Sequence, residues 1–355
     1  MEYRQLGHSG LRVSTLTLGT MTFGGQGKFA YVGNTGLGVA KEQIALCMDS
    51  GVNLFDTADV YSGGISEEIL GQAVKSYRQE ILLATKARFP MGNGVNQAGA
   101  SRYHIINACE ASLKRLDTDY IDLYQIHEWD GITPVDETLE AMDSLVRSGK
   151  VRYYGVSNYT GWQLMKALGQ CAQNHYLRPI SQQIHYTLQA REAEYELLPI
   201  ARDQNVGVLV WSPLAGGLLS GKYRRDLQNP EGSRHLLGWT EPPVYDTEKL
   251  HDIIDVLVAI AEERNVSAAQ VALAWLLSRD TVSSVVIGAR TNEQLKDNLL
   301  AANLKLSEQE LSMLEKVSRP PLLYPYWHQA TTASDRLSKD DLQLLKPYID
   351  DMKKS

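Results

Sequence analysis

Short apolar runs punctuate the chain at residues 16–19, 54–56, 81–86, 121–127, 153–157, 180–184, 206–211 and 282–287, and their length and turn-forming borders read as strands. Between and after them, apolar positions recur with helical spacing at 41–50, 66–74, 101–116, 135–148, 161–173, 195–205, 247–265, 268–279 and 292–301. Ser66 with Glu67, Thr133 with Pro134, and Ser267 mark helix starts, and Gly51, Gly149 and Gly207 mark hand-over from helix to strand. Such alternation predicts a parallel sheet. A doubly wound sheet uses the same units but carries a glycine-rich nucleotide turn after its first strand. Here that turn reads Leu18-Gly19-Thr20-Met21-Thr22-Phe23-Gly24-Gly25 and does not fit GxGxxG. The α/β reading is therefore a (β/α)8 TIM barrel, one domain over 1–355 with its core at about 15–302. Segments 3–6 and 11–14 flank Gly7-His8-Ser9-Gly10 and predict a hairpin that closes the barrel floor.

Five of the runs end in, or lead directly into, residues able to do chemistry: Asp56, Lys86, His127, Asn158 and Ser212. In a barrel of this kind the strand ends build the active site. Tyr61 follows Asp56 by one turn of chain, so Asp, Tyr, Lys and His arrive from three successive strands. A phenol ionises near about pH 10, and a neighbouring ammonium such as Lys86 stabilises its phenolate. Asp56 is the anion that keeps Lys86 charged in a partly desolvated cleft. His127 then donates a hydrogen bond to a substrate oxygen or relays a proton with Tyr61. Taken singly, Asp56 is equally a turn cap and Lys86 an ion-pair partner. Their joint occurrence with Tyr61 and His127 suits protonation of a nascent alkoxide, or the reverse.

Long connections at 23–40, 89–100 and 215–246 all follow strands and are the expected pocket walls. The tail at 320–355, rich in aromatics and proline, is expected to lie back over the barrel. Phe29, Tyr31, Trp129 and Trp327 are candidates for the substrate pocket, with plain packing the alternative for each. Net charge is −7 and the 35 basic residues form no long run, which disfavours nucleic acid or an anionic membrane as partner. With no CxxC among three cysteines, no apolar signal core at the N-terminus and no long apolar stretch, a reduced cytoplasmic protein is expected. His104, His175 and His185 lack ligands at metal-like spacing, so no metal is expected.

Across residues 4–311 the chain resembles the aldo-keto reductase superfamily. The resemblance rests on Gly51-Val52-Asn53-Leu54-Phe55-Asp56-Thr57-Ala58-Asp59-Val60-Tyr61, Leu83-Ala84-Thr85-Lys86, Tyr120-Ile121-Asp122-Leu123-Tyr124-Gln125-Ile126-His127, Gly149-Lys150-Val151-Arg152-Tyr153-Tyr154-Gly155-Val156-Ser157-Asn158, Trp211-Ser212-Pro213-Leu214 and Ile287-Gly288-Ala289-Arg290. It implies an eight-stranded barrel that interconverts carbonyls and alcohols with a nicotinamide cofactor, NADPH/NADP+ in most members, and no metal. Tyr61 becomes the general acid/base, Lys86 and Asp56 tune it, and His127 orients the carbonyl. Ser157, Asn158 and Gln183 match the residues that hold the nicotinamide amide, and Trp211 the aromatic stacked on the ring. Gly19, Thr20 and Met21, with Asp56, border the same site.

By the same resemblance the loop Ser212-Pro213-Leu214-Ala215-Gly216-Gly217-Leu218-Leu219-Ser220-Gly221-Lys222 wraps the pyrophosphate with backbone N–H groups and the Lys222 charge. Residues 216–222 also fit the GxxxxGK of a P-loop, but Tyr223 replaces the Ser or Thr that binds Mg²⁺ and Arg224-Arg225-Asp226-Leu227-Gln228-Asn229-Pro230 is a poor helix start. Gly288, Ala289, Arg290, Gln294, Asp297 and Asn298 match the adenosine-binding stretch, with Arg290 suited to the 2′-phosphate. Gln294 stands where many relatives carry a basic residue. The partner is a small carbonyl or alcohol, an oligomer staying open. The alternative reading is a cofactor-sensing binding subunit resembling the potassium-channel β-subunits of this superfamily, which keep the same four residues.

Overall fold

Strands that carry leucine, valine and isoleucine on both faces bury them when the sheet closes on itself and helices cover the outside. A computed structural model describes residues 1–225 and 241–353, and it has this form. A hairpin of β1 (Tyr3–Gln5) and β2 (Arg12–Ser14) leads into β3 (Leu16–Gly19), α1 (Leu37–Asp49), β4 (Leu54–Asp56), α2 (Ile65–Val74), β5 (Leu82–Ala87), α3 (Arg102–Leu116), β6 (Ile121–Ile126) and α4 (Val135–Arg147). The alternation continues with β7 (Val151–Ser157), α5 (Gly161–Asn174), β8 (Ser181–His185), α6 (Leu197–Asp203) and β9 (Gly207–Trp211). Two helices, α7 (Thr247–Arg264) and α8 (Ala268–Leu277), precede β10 (Val282–Ile287) and α9 (Asn292–Leu300), and α10 (Glu308–Ser318), α11 (Tyr326–Thr332) and α12 (Lys339–Met352) follow. The strands β3 to β10 form a closed parallel barrel in chain order, sealed where β10 pairs with β3, Val286 opposite Thr17.

The hairpin corks the bottom of this barrel. Leu6 and Val13 are fully buried and pack with Leu54, Leu123, Ile180 and Leu209 in a cluster separate from the main core. The fit fixes two glycines: a Cβ at Gly7, whose φ is +55°, would lie 2.1 Å from the Ile180 carbonyl oxygen, and one at Gly207 would lie 2.5 Å from Leu6 Cδ1.

Local signals act as expected at Ser267, which caps α8 by accepting from the Gln270 N–H at 3.1 Å. The other two marked starts also fall within a residue of the observed ones, at Ile65 and Val135, with different residues at the caps. Gly64 and Pro134 occupy the caps of α2 and α4. Ser66 lies inside α2, where its hydroxyl donates to the Thr20 carbonyl at 2.8 Å and meets the hydroxyls of Thr20 and Thr57 at 2.8 and 3.0 Å. It thereby ties the ends of β3 and β4 to the helix.

The tail lies back on the barrel, seated on the flank of α6. Ala330, Leu344, Leu345 and Ile349 form their own buried cluster against Tyr195 and Tyr326, whose rings stack at 5.2 Å, and Arg202 pairs with Asp340. Cys47, Cys109 and Cys171 are buried and unbridged, and burial pushes the thiols of Cys47 and Cys109 up to about 12. Among the described residues no helix is long and apolar enough to cross a membrane.

Candidate active site

Parallel closure delivers every strand's C-terminal end to one rim. Asp56 is the last residue of β4, Lys86 the penultimate residue of β5, and His127 follows β6 directly. Tyr61 opens a 3₁₀ turn beyond β4, held by its N–H to the Ala58 carbonyl at 3.2 Å. Lys86 is wholly buried, and its Nζ donates to Asp56 Oδ2 at 2.5 Å and to the Thr57 carbonyl at 2.8 Å. Asp56 Oδ1 accepts from Gln125 Nε2 at 3.1 Å and Gln183 Nε2 at 3.0 Å. A buried ion pair stands when its remaining polar atoms are satisfied, and this one meets that condition.

Burial and the pair set the protonation of their neighbours. Burial disfavours the Lys86 ammonium, but Asp56 and Tyr61 outweigh it and raise its pKa, so the residue is a cation. Burial raises the pKa of Tyr61; the Lys86 ammonium, 5.3 Å from the ring centre, pulls it down and Asp56 pushes it up. The net direction is upward. Lys86 thus acts on the phenol in the expected sense, yet burial wins and Tyr61 holds its proton. Burial also drives His127 well below its ordinary pKa, reinforced by the charges of Lys86, Lys28 and Arg88, so the imidazole is neutral. Its ring stands edge-on to Phe89 at 4.8 Å and Tyr61 at 5.8 Å, and its Nδ1 is buried without a protein partner. A protonated phenol and a neutral imidazole side by side can together meet an oxygen on which negative charge is growing.

One cavity of about 740 Å³ is lined by Asp56, Tyr61 and His127 and also by Arg290, Asp297 and Asn298. Gly19, Thr20, Met21, Ser157, Asn158, Gln183 and Trp211 line it at the ends of four strands, and Ser212, Pro213, Leu214, Gly216 and Lys222 line it from the loop after β9. Leu218, expected in that set, instead packs into the core. The loop turns through left-handed backbone at Ser212, Ala215, Gly216, Gly217 and Gly221, forms a 3₁₀ segment at Ala215–Ser220 and starts no helix between Lys222 and Arg225; the rest of the P-loop segment, from Asp226, lies outside the described residues. Gly288, Ala289 and Gln294 complete the lining near Arg290, whose guanidinium donates to the carbonyls of Tyr31 at 2.9 Å and Val32 at 3.1 Å. Asp297 accepts from Ser267 and Gln270 at 2.6 Å each. An aromatic plate, serine hydroxyls, two cations and a glycine turn in a cavity this size fit a dinucleotide.

Of the four side chains expected around the substrate, Phe29 lines the cavity and three do not. Trp129 turns away to pack edge-on against Tyr159 and Trp162, Tyr31 offers its carbonyl to Arg290 while its ring stays exposed, and Trp327 lies on α11 in the tail. The lining also includes Lys28, Val60, Phe89, Glu128 and Ser267, which sequence reasoning missed. Lys28 and Phe89 sit in two of the long loops expected as walls, and Ser267 was readable only as a cap. Among the described residues no three His, Cys, Asp or Glu side chains gather as metal ligands.

Fold and site together define a (β/α)8-barrel protein in which a buried Lys86–Asp56 pair, Tyr61 and His127 stand at one end of a dinucleotide-sized cleft. The family profile described as aldo/keto reductase family matches residues 15–319. A Bacillus subtilis protein named uncharacterized oxidoreductase YrpG is 39% identical over 332 residues, covering 90% of this chain and 97% of that protein. Proteins named probable voltage-gated potassium channel subunit beta from Arabidopsis thaliana and Oryza sativa subsp. japonica are each 38% identical, covering 86% of this chain and 92% of theirs. The chain belongs to the aldo/keto reductase family, as an oxidoreductase of that family.

Proposed function

We propose that the protein uses NADPH to reduce aldehydes or ketones to alcohols, and runs in reverse with NADP+. The observation that carries this reading is the buried Lys86–Asp56 pair at 2.5 Å beside the protonated Tyr61 and neutral His127, on the wall of a nucleotide-sized cavity. When bound, the nicotinamide supplies or accepts the hydride. Tyr61 gives its phenolic proton to the carbonyl oxygen as charge builds there. Lys86 stabilises the phenolate that remains, and Asp56 holds Lys86 charged and in place. His127 donates a hydrogen bond to the same oxygen. Trp211 would offer the flat face for the nicotinamide, Asn158, Ser157 and Gln183 would hold its amide, and Lys222 and Arg290 would take the phosphates, all six lining the one cavity. Phe29 and Phe89 shield the reacting atoms from water.

The test is NADPH consumption by the purified protein on a panel of aromatic aldehydes, diketones and cyclic ketones, with Tyr61→Phe alongside. The variant is expected to lose at least about 10²-fold in turnover while cofactor affinity stays within about twofold, because the phenol acts on the reacting oxygen. Near wild-type turnover by the variant would remove Tyr61 from the mechanism. The names of the plant relatives support a second reading, a cofactor-sensing subunit acting through a partner. Turnover without any partner separates the two.

A further inference from the structure

The charges around the substrate end of the cavity do not balance. Three cations, Lys86, Lys28 and Arg88, act on the His127 ring. Lys86 is compensated by Asp56 at 2.5 Å. Arg88 acts on Glu128, whose carboxyl is pushed up by burial and drawn down by the Trp129 N–H that it accepts at 3.3 Å and by that guanidinium. Arg88 also donates to the Trp129 carbonyl at 3.2 Å, leans on the Phe89 ring at 5.4 Å, and is locked by a backbone φ of +149° that side-chain-bearing residues rarely adopt. Lys28 remains. It lines the cavity on a 3₁₀ turn, Gly27–Tyr31, and its ammonium stands 5.4 Å over the face of Phe29, whose ring meets Tyr61 edge-on at 5.5 Å. Among the described residues it pairs with no carboxylate. An exposed cation at the cavity rim, one aromatic ring away from Tyr61, is placed to select by charge at the far end of a substrate.

We infer that Lys28 is a specificity-determining residue and that the preferred substrate is a carbonyl compound bearing an anionic group, a carboxylate or a phosphate, which seats on Lys28 while its carbonyl lies at Tyr61 and His127. This deepens the carbonyl-reductase reading and rests on it. Phe29 and Phe89 take the apolar stretch between the two ends, and Arg88 adds a positive field from behind the wall. Glu128 lines the same cavity, but burial raises its carboxyl pKa and its oxygen accepts the Trp129 N–H, so the cation left for the substrate is Lys28.

Two aldehydes of nearly equal shape test the assignment: 4-carboxybenzaldehyde, an anion, and its neutral methyl ester. Binding is measured by calorimetry with NADP+ present, where the aldehydes cannot be reduced, and turnover with NADPH. The wild type should bind the acid about tenfold more tightly than the ester; Lys28→Met should bring the ratio to about one and Lys28→Glu should invert it, with ester affinity held within about twofold. The preference should shrink at high salt. An acid-to-ester ratio that is unchanged in Lys28→Met, or no binding of the acid by the wild type at millimolar concentration, would overturn the role of Lys28. Turnover of both aldehydes with a binding ratio near one leaves the reductase reading standing and removes the anion site. The expected binding pattern without turnover keeps the anion site and removes the reductase reading.

Discussion

Trp211 donates its indole Nε1 proton to the side-chain oxygen of Asn158 at 3.0 Å, and the amide of Asn158 donates onward to the carbonyl of His127 at 3.1 Å. The plate at the end of β9 and the histidine after β6 are thus joined through one residue, itself held in left-handed backbone at φ +57°. Asn158→Ala would orphan an indole N–H and a carbonyl and strain the backbone, lowering stability by about 1–3 kcal/mol in thermal melts and weakening NADPH binding. Asn158→Asp keeps the acceptor for Trp211 and loses the donor to His127. It should therefore retain cofactor affinity and lower kcat. Identical behaviour of the two variants would show that the link to Trp211 carries nothing.

Lys86→Met leaves the Asp56 carboxylate buried without its cation. Chemical denaturation should report a loss of about 3–5 kcal/mol, because breaking one side of a buried pair strands the other charge. The double variant Lys86→Met with Asp56→Asn should regain much of that stability and none of the turnover. If the single and double variants are equally unstable, charge stranding is not the cause.

The pH dependence follows from the direction of two shifts. Tyr61 donates as a protonated phenol and its pKa lies above the ordinary 10.0, so the reductive rate should stay level from about pH 7 to 9 and fall only at more alkaline pH. His127 is held below 6.5 in the folded protein. As pH falls through that value the unfolded chain takes up a proton that the folded chain refuses, so stability falls with pH across the window between the two values. A His127→Asn variant, compared with wild type by thermal melts across about pH 5 to 7, should lack that part of the slope. Parallel slopes in the two proteins would place the acid sensitivity elsewhere.

Arg290→Ala should weaken NADPH binding far more than NADH binding in fluorescence titrations, by about tenfold or more in the ratio, if its guanidinium takes the 2′-phosphate. Both cofactors should also lose a smaller common factor, since the same guanidinium braces the carbonyls of Tyr31 and Val32 beside the Lys28 turn. Equal losses for both would leave Arg290 as a loop brace.

Gly207→Ala places a methyl carbon 2.5 Å from Leu6 Cδ1 and 2.9 Å from the Gly7 nitrogen. Overpacking of that kind costs about 1–3 kcal/mol, and a melting temperature unchanged from wild type would show that the hairpin yields freely.

The strand ends were legible because two independent signals coincide there: an apolar run stops, and a residue able to carry charge begins. Asp56, Lys86 and His127 are found in this way, and Tyr61 by its distance from Asp56. Gln125 was not, since an amide in the middle of an apolar run gives no sign that it reaches the Asp56 carboxylate. Loops resisted for a different reason. Their paths depend on left-handed residues such as Gly25, Gly27 and Arg88, so the segments that hold Lys28 and Phe89 could be marked as walls while the side chains facing inward could not. Trp129 misleads because three residues past the end of β6 the chain has already turned its side chain away from the cavity. In the tail, Pro347 lies inside α12 and interrupts the expected helical grammar.

Leu6 and Val13 make the barrel a vessel with a stopper in its base. Among the described residues the base is shut, so in the proposed reduction substrate and product would pass the same mouth over Tyr61 and Trp211. Slow departure of product would then show as a burst of NADPH oxidation ahead of the steady rate.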